Sequence, residues 1–350
     1  MDNTFLNELL DTIGVSGFES EVCQVFADYV KEHVDNVEID TMGNTIAKRK
    51  GTSPDSPTIM IEAHADEIGF QVLHIGESGY VYIRRNGGID EQCLPGAQVI
   101  IQTHDGGRIN GVIGKKPIHL QKTEERKSTV EVHHIWVDTG LPAGEVRSRI
   151  AIASPVAFAP NMIRLGEHRI ASRALDNKIG LFVVSQVLKR IAAKQLLSDI
   201  FGVASVQEEV GSRGVVTVGY HINPDIAITV DLDFATDVPD CTPSRYGLVS
   251  LGGGVVIPRN ADSNLSLSYQ MENLAKQNDI PYQLSARPHA TGGTNTSRLQ
   301  LSRNGIKTLS LGIPCRYMHT PVEVCDLRDV SSAINLLVTF CSNSGIMKEE

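Results

Sequence analysis

Several things are missing from this 350-residue sequence, and each absence narrows what it can be. No apolar run approaches the ~20 residues that a membrane-spanning helix needs. The opening residues Met1-Asp2-Asn3-Thr4-Phe5-Leu6 carry no basic region and no long apolar core, so a signal peptide is not expected. The cysteines are six, Cys23, Cys93, Cys241, Cys315, Cys325 and Cys341, scattered and without a C-x-x-C pair. That spacing argues against a zinc ribbon or a dense disulfide framework, and a reducing cytoplasm is the expected setting. Positive charge is short: the net charge is −9, which argues against a general binder of nucleic acid or anionic membranes. There is no internal repeat and no low-complexity tract. What remains is ordinary for a globular enzyme, with a length that suits two domains or one domain carrying a large insertion.

The pattern along the chain changes twice. Phe5, Leu9, Leu10 and Ile13, then Val22, Val25, Phe26, Tyr29 and Val30, recur at helical spacing. Val37–Asp40, Thr45–Ala47 and Thr58–Ala63 read as strands, the last delivering His64 at its end. From about Ile68 to Pro160, short β-rich runs alternate with Gly turns such as Asn86-Gly87-Gly88 and Asp105-Gly106-Gly107. No long amphipathic helix is expected there, and Lys116–Lys127 reads as a solvated loop. This middle region suggests a small β-barrel or sandwich inserted into another domain. Helix–strand alternation then returns. Helices are expected over Asn177–Ala192, Leu265–Lys276, Thr294–Ser302 and Val330–Phe340, with strands over Phe201–Val206, Ile226–Val230, Tyr282–Ser285 and Lys307–Leu311. The class is therefore α/β with a parallel or mixed sheet, 1–67 plus 161–350 forming a discontinuous catalytic domain and 68–160 the insertion.

Acids and histidines fall where those strands seem to stop, which is where ligands sit in such sheets. Glu208 and Glu209 follow the apolar run Ile200–Val206 and precede Gly211; unless they merely mark a surface turn, charges there need partners. His64 and Asp66 are two positions apart, so Asp66 can hold the second nitrogen of a metal-binding His64. Asp176 opens a long helix, as either an N-cap or a carboxylate bridging two metals. Asp231 ends an apolar strand, with Asp233 and Asp237 close enough to compete for its role. His319 follows another strand, before the extended Thr320-Pro321. Two histidines with Asp176, Glu209 and Asp231 make a thiolate-free donor set suited to zinc, cobalt or manganese. One bridging Asp, with one His and one acid per metal, leaves room for a shared water, and Glu208 is then left over as general base.

Four segments carry a resemblance. Glu62-Ala63-His64-Ala65-Asp66-Glu67-Ile68-Gly69-Phe70, Arg173-Ala174-Leu175-Asp176-Asn177-Lys178-Ile179-Gly180, Gln207-Glu208-Glu209-Val210-Gly211-Ser212-Arg213-Gly214 and Arg316-Tyr317-Met318-His319-Thr320-Pro321-Val322-Glu323 resemble the M42 family of dinuclear metallo-aminopeptidases, in order and over nearly the whole chain. The resemblance implies His64, Asp176 and Asp231 around one metal, and Asp176, Glu209 and His319 around the other. It also implies Glu208 as the base, Asp66 orienting His64, and short peptides as substrates. A catalytic domain interrupted by a β-barrel-like domain, and assembly into dimers or tetrahedral dodecamers, belong to the same expectation. There are departures. Asn295, in Thr291–Asn295, stands where the family often has Asp; Asn177 where many members have a second Asp; Asp233 where a hydroxyl residue is common. None removes an implied ligand.

Two other classes stand beside this reading. A glycoside hydrolase of the endoglucanase type could use Glu208 with another acid and no metal, and some relatives have been labelled endoglucanases. A non-catalytic assembly protein could keep the fold without turnover. Trp136, the only tryptophan, is expected either in the core of the inserted region or at a subunit contact.

Overall fold

The computed structural model describes residues 2–286 and 293–343. Among them, no helix is long and apolar enough to cross a membrane. One large mixed sheet dominates. Its order is Asn36–Ile39, Thr45–Arg49, Ile200–Ser205, Ile59–His64, Ile226–Phe234, Lys307–Arg316, Glu323–Asp326, Arg169–Ser172, Ile163–Leu165. Val255–Pro258 pairs with Lys307–Arg316 and with Tyr282–Ser285. The four central strands, Ile200–Ser205 to Lys307–Arg316, run parallel, and the flanking pairs in that order are antiparallel. The parallel strands read as near-continuous apolar runs because helices cover them. The helix Leu175–Ile191 packs against Ile59–His64 and Ile226–Phe234 on one side and against Leu327–Cys341 on the other. Almost all its residues are therefore buried, and it centres a core built from Leu181, Val184, Leu188, Ile228, Leu311 and Ile334.

A second, separate unit of pairing is a closed six-stranded barrel: Gly69–Ile75, Val81–Asn86, Trp136–Asp138, Arg108–Gly114, Gln98–Gln102 and Pro155–Phe158, in that circular order. Alternation explains it. Ile109, Gly111 and Ile113 are buried while Arg108, Asn110 and Val112 are exposed. The inward residues, among them Phe70, Val81, Ile101, Val137 and Phe158, form their own core, with Phe70 and Phe158 edge to face at 5.5 Å. Closure leaves no free sheet edge.

The structure departs from sequence expectation at several elements. Asp231 does not end its strand. Ile226–Phe234 continues to Phe234, because Lys307–Arg316 stays in register with it as far as Cys315. Its pairing with Ile59–His64 stops at Thr229 opposite Glu62, so the two strands part and Asp231 faces the gap. Lys116–Lys127 is exposed but not irregular: Glu125 accepts the Lys122 N–H at 2.6 Å and nucleates the helical turn Thr123–Lys127. The helix expected over Thr294–Ser302 is only Thr296–Leu299; Thr291 and Gly292 lie outside the described residues. Trp136 is half-buried, edge to face with Tyr80 at 5.8 Å, so it is neither deep core nor free.

Candidate metal centre

The parting of Ile59–His64 from Ile226–Phe234 creates the opening in which the acids and histidines meet. His64 closes its strand, with Ser205 in register beside it, so the following residues Val206–Glu209 arrive at the same end of the sheet. His64 Nδ1 lies 3.0 Å from the carbonyl oxygen of Asp66. A carbonyl only accepts, so Nδ1 donates to it, and Nε2 is the nitrogen turned to the centre. That Nε2 faces Asp176 Oδ1 at 3.2 Å and Asp231 Oδ1 at 3.7 Å. On the other side, His319 Nε2 faces Asp176 Oδ2 at 3.6 Å and Glu209 Oε2 at 3.5 Å. Asp176 therefore sits between two groups, one oxygen toward each.

Local backbone explains why Asp176 is available. The expected alternative, an N-cap, is filled by its neighbour: Asn177 Oδ1 accepts the Gly180 N–H at 3.0 Å, and its amide donates to the Val230 carbonyl at 2.8 Å. Asp176 and Asn177 have non-helical backbone, joined by a cis peptide bond. Glu323, which sequence reasoning left without a role, accepts the N–H of Asp176 and that of His319, each at 2.9 Å. One buried carboxylate thus spaces residues from both groups. Its partners are backbone N–H groups, which no residue pattern marks.

Asp66 holds more than His64. Its carboxylate accepts the Ser16 hydroxyl at 2.6 Å and the N–H groups of Glu208 and Glu209 at 2.9 and 3.0 Å. Glu19 accepts the next N–H, that of Gln207, at 3.1 Å. Ser16 and Glu19 were missed because their partners lie far along the chain. The barrel also reaches the centre. Gly87 and Gly88 pack against Glu209 and His319, and a Cβ on Gly88 would stand 3.2 Å from His319 Nδ1. The turn was legible in the sequence, but its neighbour was not.

Electrostatics show what the centre lacks. Burial pushes the Glu208 carboxyl up to about 8, with Asp231, Asp66 and Asp176 adding to the rise. Burial and Asp176 drive Glu209 well above the usual carboxylate range, and burial raises Asp231. For His64, burial opposes charge, yet Asp176, Asp231 and Asp66 outweigh it and raise the imidazole well above its ordinary value. Burial likewise opposes ionisation of Asp66, but His64, Ser16 and the Glu208 N–H hold it low. Among the described residues, no lysine or arginine pairs with Asp176, Asp231, Glu208 or Glu209; the imidazoles are the partners. Crowded carboxylates with inadequate positive charge fit divalent cations. Spacing fits as well: bonds of about 2.0–2.2 Å in tetrahedral geometry imply donor separations of about 3.3 Å, against the 3.2–3.7 Å found. The donor atoms of His64, Asp176 and Asp231 converge within 4.8 Å, as do those of Asp176, Glu209 and His319. So do those of His64, Glu208 and Glu209, and the geometry does not by itself set Glu208 apart from the ligands.

The family model described as M42 glutamyl aminopeptidase matches residues 43–336. A lysyl aminopeptidase from Pyrococcus furiosus is 34% identical, the match covering 96% of this chain and 95% of that protein. Among solved structures, an aminopeptidase from the archaeon Desulfurococcus kamchatkensis superposes with a TM-score of 0.90 at 33% identity, covering 97% of this chain and 94% of its own. The Pyrococcus horikoshii TET1 peptidase, which can assemble into a tetrahedron or a large octahedral shell, gives 0.85 at 28% identity, covering 97% and 98%. With the fold, the converging acids and histidines and these likenesses together, the chain belongs to the M42 family of aminopeptidases and is a peptide hydrolase.

Proposed function

We propose that this chain is a two-metal aminopeptidase that removes N-terminal residues from short peptides. The observation that carries the reading is Asp176, with one carboxylate oxygen toward His64 and Asp231 and the other toward His319 and Glu209. His64, Asp176 and Asp231 would hold one cation, and Asp176, Glu209 and His319 the other. The nitrogen and oxygen donors suit zinc or cobalt, with manganese the third choice. When bound, such a pair supplies acidification of a shared water and polarisation of the scissile carbonyl.

The chain's own residues supply the rest. Glu208 is the general base. Its Oε1 accepts the Ser212 hydroxyl at 3.3 Å, which leaves Oε2 for the proton of the attacking water. Glu208 then returns that proton to the departing amine nitrogen as the C–N bond breaks. Asp66 and Glu19 fix the Gln207–Glu209 turn through its backbone N–H groups, with Ser16 holding Asp66.

The proposed organisation is a catalytic domain of 1–67 plus 161–350 and an inserted barrel domain of 68–160. Exposed Leu73, Tyr80, Tyr82, Val112, Ile118 and Leu120 on the inserted segment support self-association through it. The assembly of the Pyrococcus horikoshii relative supports the same proposal, and a closed shell would admit peptides and exclude folded proteins. The test is release of N-terminal residues from short peptides, with activity lost on chelation and regained with zinc or cobalt, and a light-scattering mass well above one chain. Peptide release that survives verified metal removal would sink the two-metal reading.

A further inference from the structure

The barrel carries another group of metal-type donors, none of them a residue of the buried centre. Glu131, His133 and His134 lie on the turn that leads into the Trp136–Asp138 strand, and all three are exposed. One donor atom from each converges within 4.8 Å. His133 Nε2 stands 3.1 Å from Glu131 Oε2, and the two imidazole rings are 4.1 Å apart, centroid to centroid.

We propose that Glu131, His133 and His134 form an accessible site for a single transition-metal ion. Two imidazoles and one carboxylate are donors for zinc, nickel or copper rather than for magnesium or calcium. A plain Glu131–His133 ion pair accounts for two of the residues, and an exposed pair of that kind is worth little. A tetrahedral ion held by three protein donors keeps one position open. Glu131 and His134 also line a hollow of about 430 Å³ that includes Lys115, Lys116, Glu125 and Arg126. Glu125 offsets Lys116 at 3.0 Å, but Lys115 and Arg126 add positive charge near the ion. The site therefore fills after the buried centre and binds more weakly. Because all three side chains are exposed, they can tighten from the observed spacing to bonding distance without repacking a core.

The test compares wild type with the double variant His133→Ala/His134→Ala, both loaded until peptidase activity is maximal and then equilibrated with rising zinc. Wild type should take up one more zinc per chain than the variant while both keep the same turnover. That difference does not depend on how many cations the buried centre holds, so it can fail without the two-metal reading failing, and the reverse. Glu131→Gln preserves the turn and should weaken the extra uptake at least about 10-fold, the lower end of what loss of even an outer-shell partner costs. Copper added to the zinc-loaded enzyme should show coupling to two imidazole nitrogens by electron paramagnetic resonance in wild type and not in the double variant. Equal zinc uptake by wild type and double variant, or unchanged affinity in Glu131→Gln, would overturn the site.

Discussion

Asp66 and Glu67 are neighbours in sequence and belong to two buried charge clusters of opposite character. Glu67 is paired with the guanidinium of Arg173 and, at 3.1 Å, with Lys178, and it accepts the Gly14 N–H at 2.8 Å. Arg173 and Lys178 also bond the carbonyls of Leu10 and Thr12, tying the end of the first helix to the sheet. That cluster supplies its own positive charge. Burial works to raise Glu67, and the two cations more than reverse it. Among the described residues the Asp176 cluster has no such cation, although Arg173 and Lys178 flank Asp176 in sequence; both turn away to Glu67. The difference teaches that one cluster fastens the N-terminal segment, while the other, on the proposed reading, receives its charge from outside.

The sharpest break of this comparison is Asp176→Ala. On the proposed reading it removes the carboxylate shared by both metal groups, so metal content and activity should vanish together. The metal-free variant should be no less stable than metal-free wild type, since one crowded charge is gone. Glu67→Ala should do the opposite: it leaves the buried Arg173 guanidinium without its carboxylate, beside a Lys178 amine that burial and Arg173 already lower to about 7, and should cost about 3–5 kcal/mol of stability, with or without chelator. Thermal melts of the two variants, each with and without metal, check both. Glu208→Gln should lower turnover by at least about 10²-fold while metal content stays at the wild-type level. Loss of metal instead would make Glu208 a ligand, as its place beside His64 and Glu209 allows.

A smaller effect concerns Glu19, where burial and Asp66 raise the carboxyl from its ordinary 4.5 to about 7. A raised acid contributes stability below its unfolded pKa and loses it as pH rises toward the folded one. Wild-type stability should therefore fall between pH 4.5 and about 7 by up to about 3 kcal/mol from this group, at about 1.4 kcal/mol per pKa unit. Glu19 Oε1 accepts both the Gly17 and the Gln207 N–H, so Glu19→Gln keeps both bonds. Denaturant melts across this range should show that variant without the fall, and its turnover should stay near wild type. Smallest is Gly88→Ala, whose Cβ would press on His319 Nδ1 at 3.2 Å. A metal titration should show weakened binding on the His319 side only, by a few-fold, with the His64 side unchanged.

How much of this was legible in the sequence follows from how local each signal is. His64, Asp176, Glu208, Glu209, Asp231 and His319 were legible as acids and histidines beside apolar runs, and the structure brings them together. The barrel was legible from short β-rich runs between Gly turns, although Trp136–Asp138 and Pro155–Phe158 were not among them. Asp231 was misplaced at a strand end because the sequence does not reveal that Lys307–Arg316 keeps pairing past it after Ile59–His64 has parted. Ser16, Glu19, Glu323 and Gly88 were not legible as site residues. Their partners lie far away in the chain or belong to backbone amides, which no residue pattern marks. Nor was the role of Arg173 and Lys178 legible, since adjacency to Asp176 says nothing of the side to which they turn.

The most direct test of the central claim is a metal count made together with an activity assay. Wild-type protein is stripped by chelator, verified free of metal, and titrated with zinc while bound zinc per chain and peptide turnover are read from the same samples. The account predicts no turnover in the stripped protein and recovery that is complete when two zinc ions per chain are bound, a number set by the two groups that share Asp176. Undiminished turnover in metal-free protein, or full turnover with zinc that Asp176→Ala retains, would contradict it.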